Sequence, residues 1–120
     1  MKIAFSASGG TLESQLDSRF GRAAMFIIID TETGDHTVLE NTQNLNAAQG
    51  AGIQSAQHVV SSGATALVTG HTGPKAFKVL SAAGVEIYLS SATSVTDAFE
   101  AWKRGELKKI DSADVEGHWV

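Results

Sequence analysis

Cysteine is absent from this 120-residue chain, which excludes a disulfide framework, a thiolate nucleophile and any Cys-ligated zinc or iron–sulfur centre. Proline occurs once, at Pro74, and charged residues make up only 18%, so neither a Pro-rich linker nor a charge-rich disordered segment divides the chain. No apolar run reaches the roughly 18 residues of a membrane span, and the opening Met1-Lys2-Ile3-Ala4-Phe5-Ser6 is too short for a secretory signal. The expectation is a cytoplasmic protein with no membrane association. A net charge of −4 and a pI near 5.4 argue against broad binding to a phosphate backbone, so no nucleic-acid partner is expected. What is present is a 42% share of hydrophobic residues, enough to build one core. The expected domain spans 1–110, followed by a polar C-terminal tail over 111–120.

The apolar pattern predicts an α/β fold. Lys2 to Ala7 reads as a buried strand running into Gly9-Gly10, and Met25 to Ile29 is a second apolar, β-branched run that stops at Asp30. Thr31 to Asp35 supplies turn chemistry, and His36 to Glu40 pairs back as an antiparallel hairpin. From Gly52 to Ser62, Ile53, Ala56, Val59 and Val60 fall at helical spacing, with Gly63 as a left-handed stop. Ala64 to Thr69 is a strand, Pro74 opens a second helix with Phe77 and Leu80 inward, and Val85 to Leu89 is a further strand. Ser94 caps a third helix striped by Val95, Ala98, Phe99 and Trp102, ending near Gly105. The predicted architecture is a mixed sheet of about five strands, an antiparallel hairpin followed by parallel β-α-β units, with about three helices. Ligands in such sheets gather beyond the carboxyl ends of the parallel strands, here Ser6 to Gly10, Thr69 to Pro74 and Ser90 to Thr93.

Three segments carry candidate chemistry. Thr69-Gly70-His71-Thr72-Gly73-Pro74-Lys75-Ala76 joins a strand to a helix as an anion loop would: helix N–H groups carry partial positive charge, glycine admits close approach, and Lys75 adds a full charge. It is not a Walker motif, and an ordinary tight β-α connection is its plain alternative. Leu16-Asp17-Ser18-Arg19-Phe20-Gly21-Arg22-Ala23 offers Arg19 and Arg22 to an anion, unless Arg19 merely pairs with Asp17. Asn44 to Ile53 enters a helix through Gly50, Ala51, Gly52 and Ile53, again exposing N–H groups, or is only a connection. No pair among His36, His58, His71 and His118 has helical metal-site spacing. His58 reads as a surface residue, whereas His71 could contact a metal or, protonated, an anion. Asp17, Asp30, Glu40 and Asp97 form no catalytic motif, and neither GxSxG nor SxxK occurs.

These three segments together, Asp17 to Ala23, Gly50-Ala51-Gly52-Ile53-Gln54 and Gly70 to Phe77, make nearly the whole chain resemble the dinitrogenase iron–molybdenum cofactor biosynthesis accessory family, and its small stand-alone members in particular. The resemblance implies a ribonuclease-H-like fold and non-enzymatic binding, storage or delivery of an anionic metal–sulfur cluster. The implied cluster is a molybdenum–copper–sulfide one or, as the alternative, an iron–molybdenum–sulfur cluster or its precursor. Such a cluster brings its own metal ligands, so a cysteine-free chain can hold it through charge, backbone N–H groups and apolar contact. The residues implied are Arg19, Arg22, Gly50, Ala51, Gly52, Ile53, Gly70, His71, Thr72, Gly73 and Lys75, with His71 the candidate metal ligand. A monomer or weak dimer is expected. Two other readings stand beside this one. A cofactor-free interaction module would serve partner proteins such as ATPases, anchored by the tail residues His118-Trp119. A metal-dependent phosphoester hydrolase would need clustered carboxylates that the sequence does not display.

Overall fold

Strand β1 (Lys2–Ala7) is buried at every residue but its first, because it lies in the middle of the sheet with both faces covered. The computed structural model describes residues 1–42 and 50–113. In it β1 is flanked by β2 (Met25–Asp30), antiparallel, and by β4 (Ala66–Thr69), parallel. Outside these lie β3 (His36–Glu40), antiparallel to β2, and β5 (Glu86–Leu89), parallel to β4. A sixth strand, β6 (Lys108–Lys109), runs antiparallel to β5 and completes the order β3-β2-β1-β4-β5-β6. The expected count of about five strands is therefore one short. Two lysines carry no apolar signal, and β6 forms because Ile110 next to it is buried and donates its N–H to the Ile87 carbonyl at 3.0 Å.

Alternation along the strands splits the core in two. Ala4, Phe26, Ile28, Leu67 and Ile87 face helices α1 (Ala51–Ser61) and α2 (Pro74–Ala82), which contribute Ala56, Val59, Ala76 and Leu80. Ile3, Phe5, Ile27, Ile29, Ala66 and Val68 face α3 (Val95–Lys103), which contributes Val95 and Ala98. The local signals act as read. Gly63 follows α1 at φ +84°, Pro74 takes the first turn of α2, and Ser94 Oγ accepts the Asp97 N–H at 3.1 Å. Asp30 Oδ1 accepts the Glu32 N–H at 2.9 Å and so opens the hairpin turn. Asn44 to Gln49 of the third candidate segment, and the tail pair His118-Trp119, lie outside the described residues.

Candidate functional site at the carboxyl ends of the parallel strands

The segment after β1 is stitched across the carboxyl ends of β1 and β4. The Asp17 N–H donates to the Ser6 carbonyl at 2.8 Å, and the buried Ser6 hydroxyl is shared between the Asp17 carbonyl and Thr69 Oγ1, each 2.8 Å away. Hydroxyls buried between strands are costly unless bonded, so this cluster holds the segment in one place. The chain then runs beside His71: Arg19 bridges to it in parallel, and the Phe20 N–H donates to the His71 carbonyl at 3.1 Å. Asp17 Oδ1 accepts the Arg19 backbone N–H at 3.0 Å, which shapes the turn. Phe20, fully buried with its ring 5.3 Å from that of Phe26, anchors a 3₁₀ turn over Phe20–Arg22 and leaves Arg19 and Arg22 exposed.

This packing gives Gly70 a structural role of its own. A Cβ at Gly70 would stand 2.5 Å from the Ser18 carbonyl oxygen and 2.7 Å from Ser18 Cα. The protein's own backbone therefore requires glycine there. At Gly50, by contrast, no atom of the described residues beyond its chain neighbours lies within 4 Å of where a Cβ would be.

Between the ends of β4 and β5 opens a cleft of about 500 Å³, lined by Leu16, Ser18, Gly70, His71, Leu89 and the 90–92 loop of Ser90, Ser91 and Ala92. Its walls are tied to each other and to the sheet. The Ser90 N–H donates to the Thr69 carbonyl at 2.9 Å, the Leu16 N–H to the Thr93 carbonyl at 3.0 Å, and the Ala92 N–H to Ser90 Oγ at 3.1 Å. Among the described residues the lining holds two leucines, three serines and an imidazole but no carboxylate.

Of the residues picked from the sequence, the structure brings Gly70 and the half-buried His71 into this cleft. Thr72 and Gly73 are buried at the start of α2, with Lys75 exposed on its first turn. Gly50 is exposed, Ala51 and Ile53 are half-buried and Gly52 is buried at the start of α1. Both helices begin at the cleft's edge of the sheet, because α1 follows β3, which runs parallel to β1, and α2 follows β4. Leu16, Ser18, Leu89 and the serines of the 90–92 loop escaped individual selection. Leu16 and Ser18 lay in the segment singled out for its arginines, and Ser90 and Ser91 in a strand end rich in serine.

A polar network beneath the 3₁₀ turn was also missed. Asn41 Nδ2 donates to the Ala23 carbonyl at 2.8 Å and to Ser55 Oγ at 2.9 Å, and Ser55 Oγ lies 3.4 Å from the Gly21 carbonyl. His58 Nδ1 stands 2.8 Å from Asn41 Oδ1, so Nδ1 carries the proton in this amide orientation. His58 is half-buried and joins α1 to the turn bearing Arg22, in contrast to its reading as a surface residue.

The resolved titration shifts lie away from the cleft, on the β5–β6 side. Glu86 is held below the usual carboxylate range by its hydrogen bond with Lys109, 3.2 Å away, and Tyr88 is raised chiefly by burial. Among the described residues no three His, Cys, Asp or Glu side chains converge as a metal-holding group, and no helix is long and apolar enough to cross a membrane.

A mixed sheet with two glycine-led helix entries beside a cleft at the carboxyl ends of its parallel strands defines an α/β protein. The family described as dinitrogenase iron-molybdenum cofactor matches residues 1–105. The chain belongs to that family, and with membership goes a cofactor-related accessory role. It is 30% identical over 114 residues to an uncharacterized protein of Methanocaldococcus jannaschii, with 92% of each chain covered. Among solved structures it is similar to the apo form of the orange protein from Desulfovibrio gigas, at 35% identity and a TM-score of 0.89, covering 95% of this chain and 96% of that one. It is also similar to a Thermotoga protein of the DUF35 family, at 35% identity and a TM-score of 0.82, covering 97% and 98%.

Proposed function

We propose that this chain carries an anionic metal–sulfur cluster as cargo, without turning it over, at the carboxyl ends of β1, β4 and β5, and that it does so in the cytoplasm. The observation that carries this reading is the cleft of about 500 Å³ whose walls offer leucine, serine hydroxyls, backbone and the His71 imidazole, with no carboxylate among the described lining residues to repel an anion. The donor set suits such a cargo. Sulfide surfaces are soft and weakly hydrated, so apolar contact and N–H or O–H donors hold them where a bare metal ion would demand thiolates or carboxylates. Among the described lining residues His71 is the side chain best suited to ligate a metal. Full positive charge would come from exposed Arg19, which bridges to His71, and from exposed Arg22 and Lys75 on the segments that follow. The starts of α1, at Gly50 to Ile53, and of α2, at Thr72 and Gly73, supply partial charge. Likeness to the orange protein over 95% of the chain, together with the resemblance drawn from the motifs, favours a molybdenum–copper–sulfide cluster over an iron–molybdenum one.

Anaerobic reconstitution with tetrathiomolybdate and copper tests this. The expected outcome is a coloured species that co-elutes with the protein on gel filtration, with metal and sulfide in fixed ratio. Free salts separating from colourless protein would overturn it.

A further inference from the structure

The two edges of the sheet are protected very differently. At one edge β6 is only two residues long and consists of Lys108 and Lys109, both devices that discourage strand addition. At the other edge β3, His36-Thr37-Val38-Leu39-Glu40, has neither Pro nor Lys, and its register with β2 is unbroken from Met25↔Glu40 to Ile29↔His36. Val38 is 45% exposed, one of the most exposed large apolar side chains among the described residues.

The backbone phase of β3 is set by its two ends. The Asp30 N–H donates to the Asp35 carbonyl at 2.9 Å, and the Asn41 N–H donates to the Ala24 carbonyl at 3.1 Å. Antiparallel ladders alternate, so residues 35, 37, 39 and 41 bond towards β2 while His36, Val38 and Glu40 present their N–H and C=O groups outward. The same alternation puts the side chains of His36, Val38 and Glu40 on one face, with Val38 opposite Ile27, and turns Leu39 to the other face, opposite Phe26.

We propose that this edge is a self-association surface, on which a second copy of the chain pairs antiparallel through β3 about a two-fold axis at Val38. That register sets Val38 against Val38 of the second copy and His36 against its Glu40, twice over by symmetry. Every outward N–H and C=O of the three residues then meets a partner, the exposed valines cover each other, and each basic or polar ring faces a carboxylate. The charges select this occupant: a self-pairing shifted by two residues would lose one or both of these cross-strand pairs. A five-residue strand buries little area compared with the roughly 1,200 Å² or more of stable complexes, so the dimer is weak, with a dissociation constant on the order of 0.1–1 mM.

Sedimentation velocity on the full chain from about 10 µM to about 1 mM should show the average mass climbing from 12.6 kDa towards the dimer. Val38→Pro removes an outward N–H while sparing the bonds to β2, and should weaken association about tenfold or more. Two charge variants keep the test independent of whether the proline variant folds. His36→Glu and Glu40→Lys alone should each weaken association, and the double variant, which restores opposite charges across the axis, should recover it. Single charge variants that associate like the wild type overturn the proposal. So does a wild type that stays monomeric throughout, which would leave this edge to a strand from a different protein.

Discussion

At the amino ends of β4 and β5 the chain turns through Gly63 and Gly84, with φ of +84° and +81°, and the β2–β3 turn passes Gly34 at +79°. At the carboxyl ends Gly50 and Gly73 lead into helices with φ of −74° and −83°. The first set is glycine because an L side chain is strained in the left-handed region. The second set sits in backbone that any residue adopts, so conformation does not explain it. What explains it is approach. At Gly70 the approaching group is the Ser18 backbone, and at Gly50 no described atom beyond its chain neighbours lies within 4 Å of where a Cβ would stand. One residue type thus answers to backbone conformation at one end of the sheet and, at Gly70, to close backbone packing at the other.

Substitutions at the two ends should separate these roles. Gly70→Ala should have the largest effect, because the new methyl meets backbone at 2.5 Å rather than a side chain that can swing away. A loss of about 2–3 kcal/mol is expected, read by urea unfolding, together with loss of cluster retention as Ser18 shifts in the cleft wall. Gly63→Ala and Gly84→Ala should each cost about 1–2 kcal/mol with retention unchanged. Arg19→Ala, Arg22→Ala and Lys75→Ala invert that outcome. Stability should stay within about 0.5 kcal/mol, while retention falls on the order of tenfold for each contact to the charged cargo. Gly50→Ala should fold with a cost near 0.5 kcal/mol for a poorer helix cap and lower retention a few-fold. Equal retention in the Gly63, Gly50 and arginine variants would erase the distinction.

The smallest effect belongs to the β5–β6 side. Glu86 titrates below its ordinary range because Lys109 hydrogen-bonds it, so its folded value lies under its unfolded one. Its contribution to stability is present above the ordinary carboxylate value and fades as pH falls through the lowered one. Both partners are about half exposed, so the loss is slight. Lys109→Ala should move the Glu86 titration upward by NMR and leave retention untouched.

Where one short stretch of residues decides an element, the sequence was sufficient. Gly63 ends α1, Pro74 starts α2, Ser94 caps α3, and five turn residues join β2 to β3. Contacts distant along the chain were illegible. Gly70 meets Ser18, Ser6 meets Thr69, and Asn41 meets both Ser55 and His58; no local pattern announces such pairings. The candidate site was readable to the same extent. Its glycine-led helix entries stood out from spacing and chain order, while Ser90 to Thr93 was legible only as a strand end and not as individual wall residues, because serine in a loop has no distinctive period. β6 was invisible because two lysines become a strand only once β5 is beside them.

Amide chemical-shift mapping of the reconstituted protein tests the contrast between the two ends most directly, since each glycine reports separately. Tetrathiomolybdate with copper should shift the amides of Gly50, Gly70, His71, Gly73 and the 90–92 loop and leave those of Gly34, Gly63 and Gly84 in place. Shifts concentrated at the latter three, or none at the carboxyl ends of β4 and β5, would contradict the assignment of the cleft as the cluster's seat.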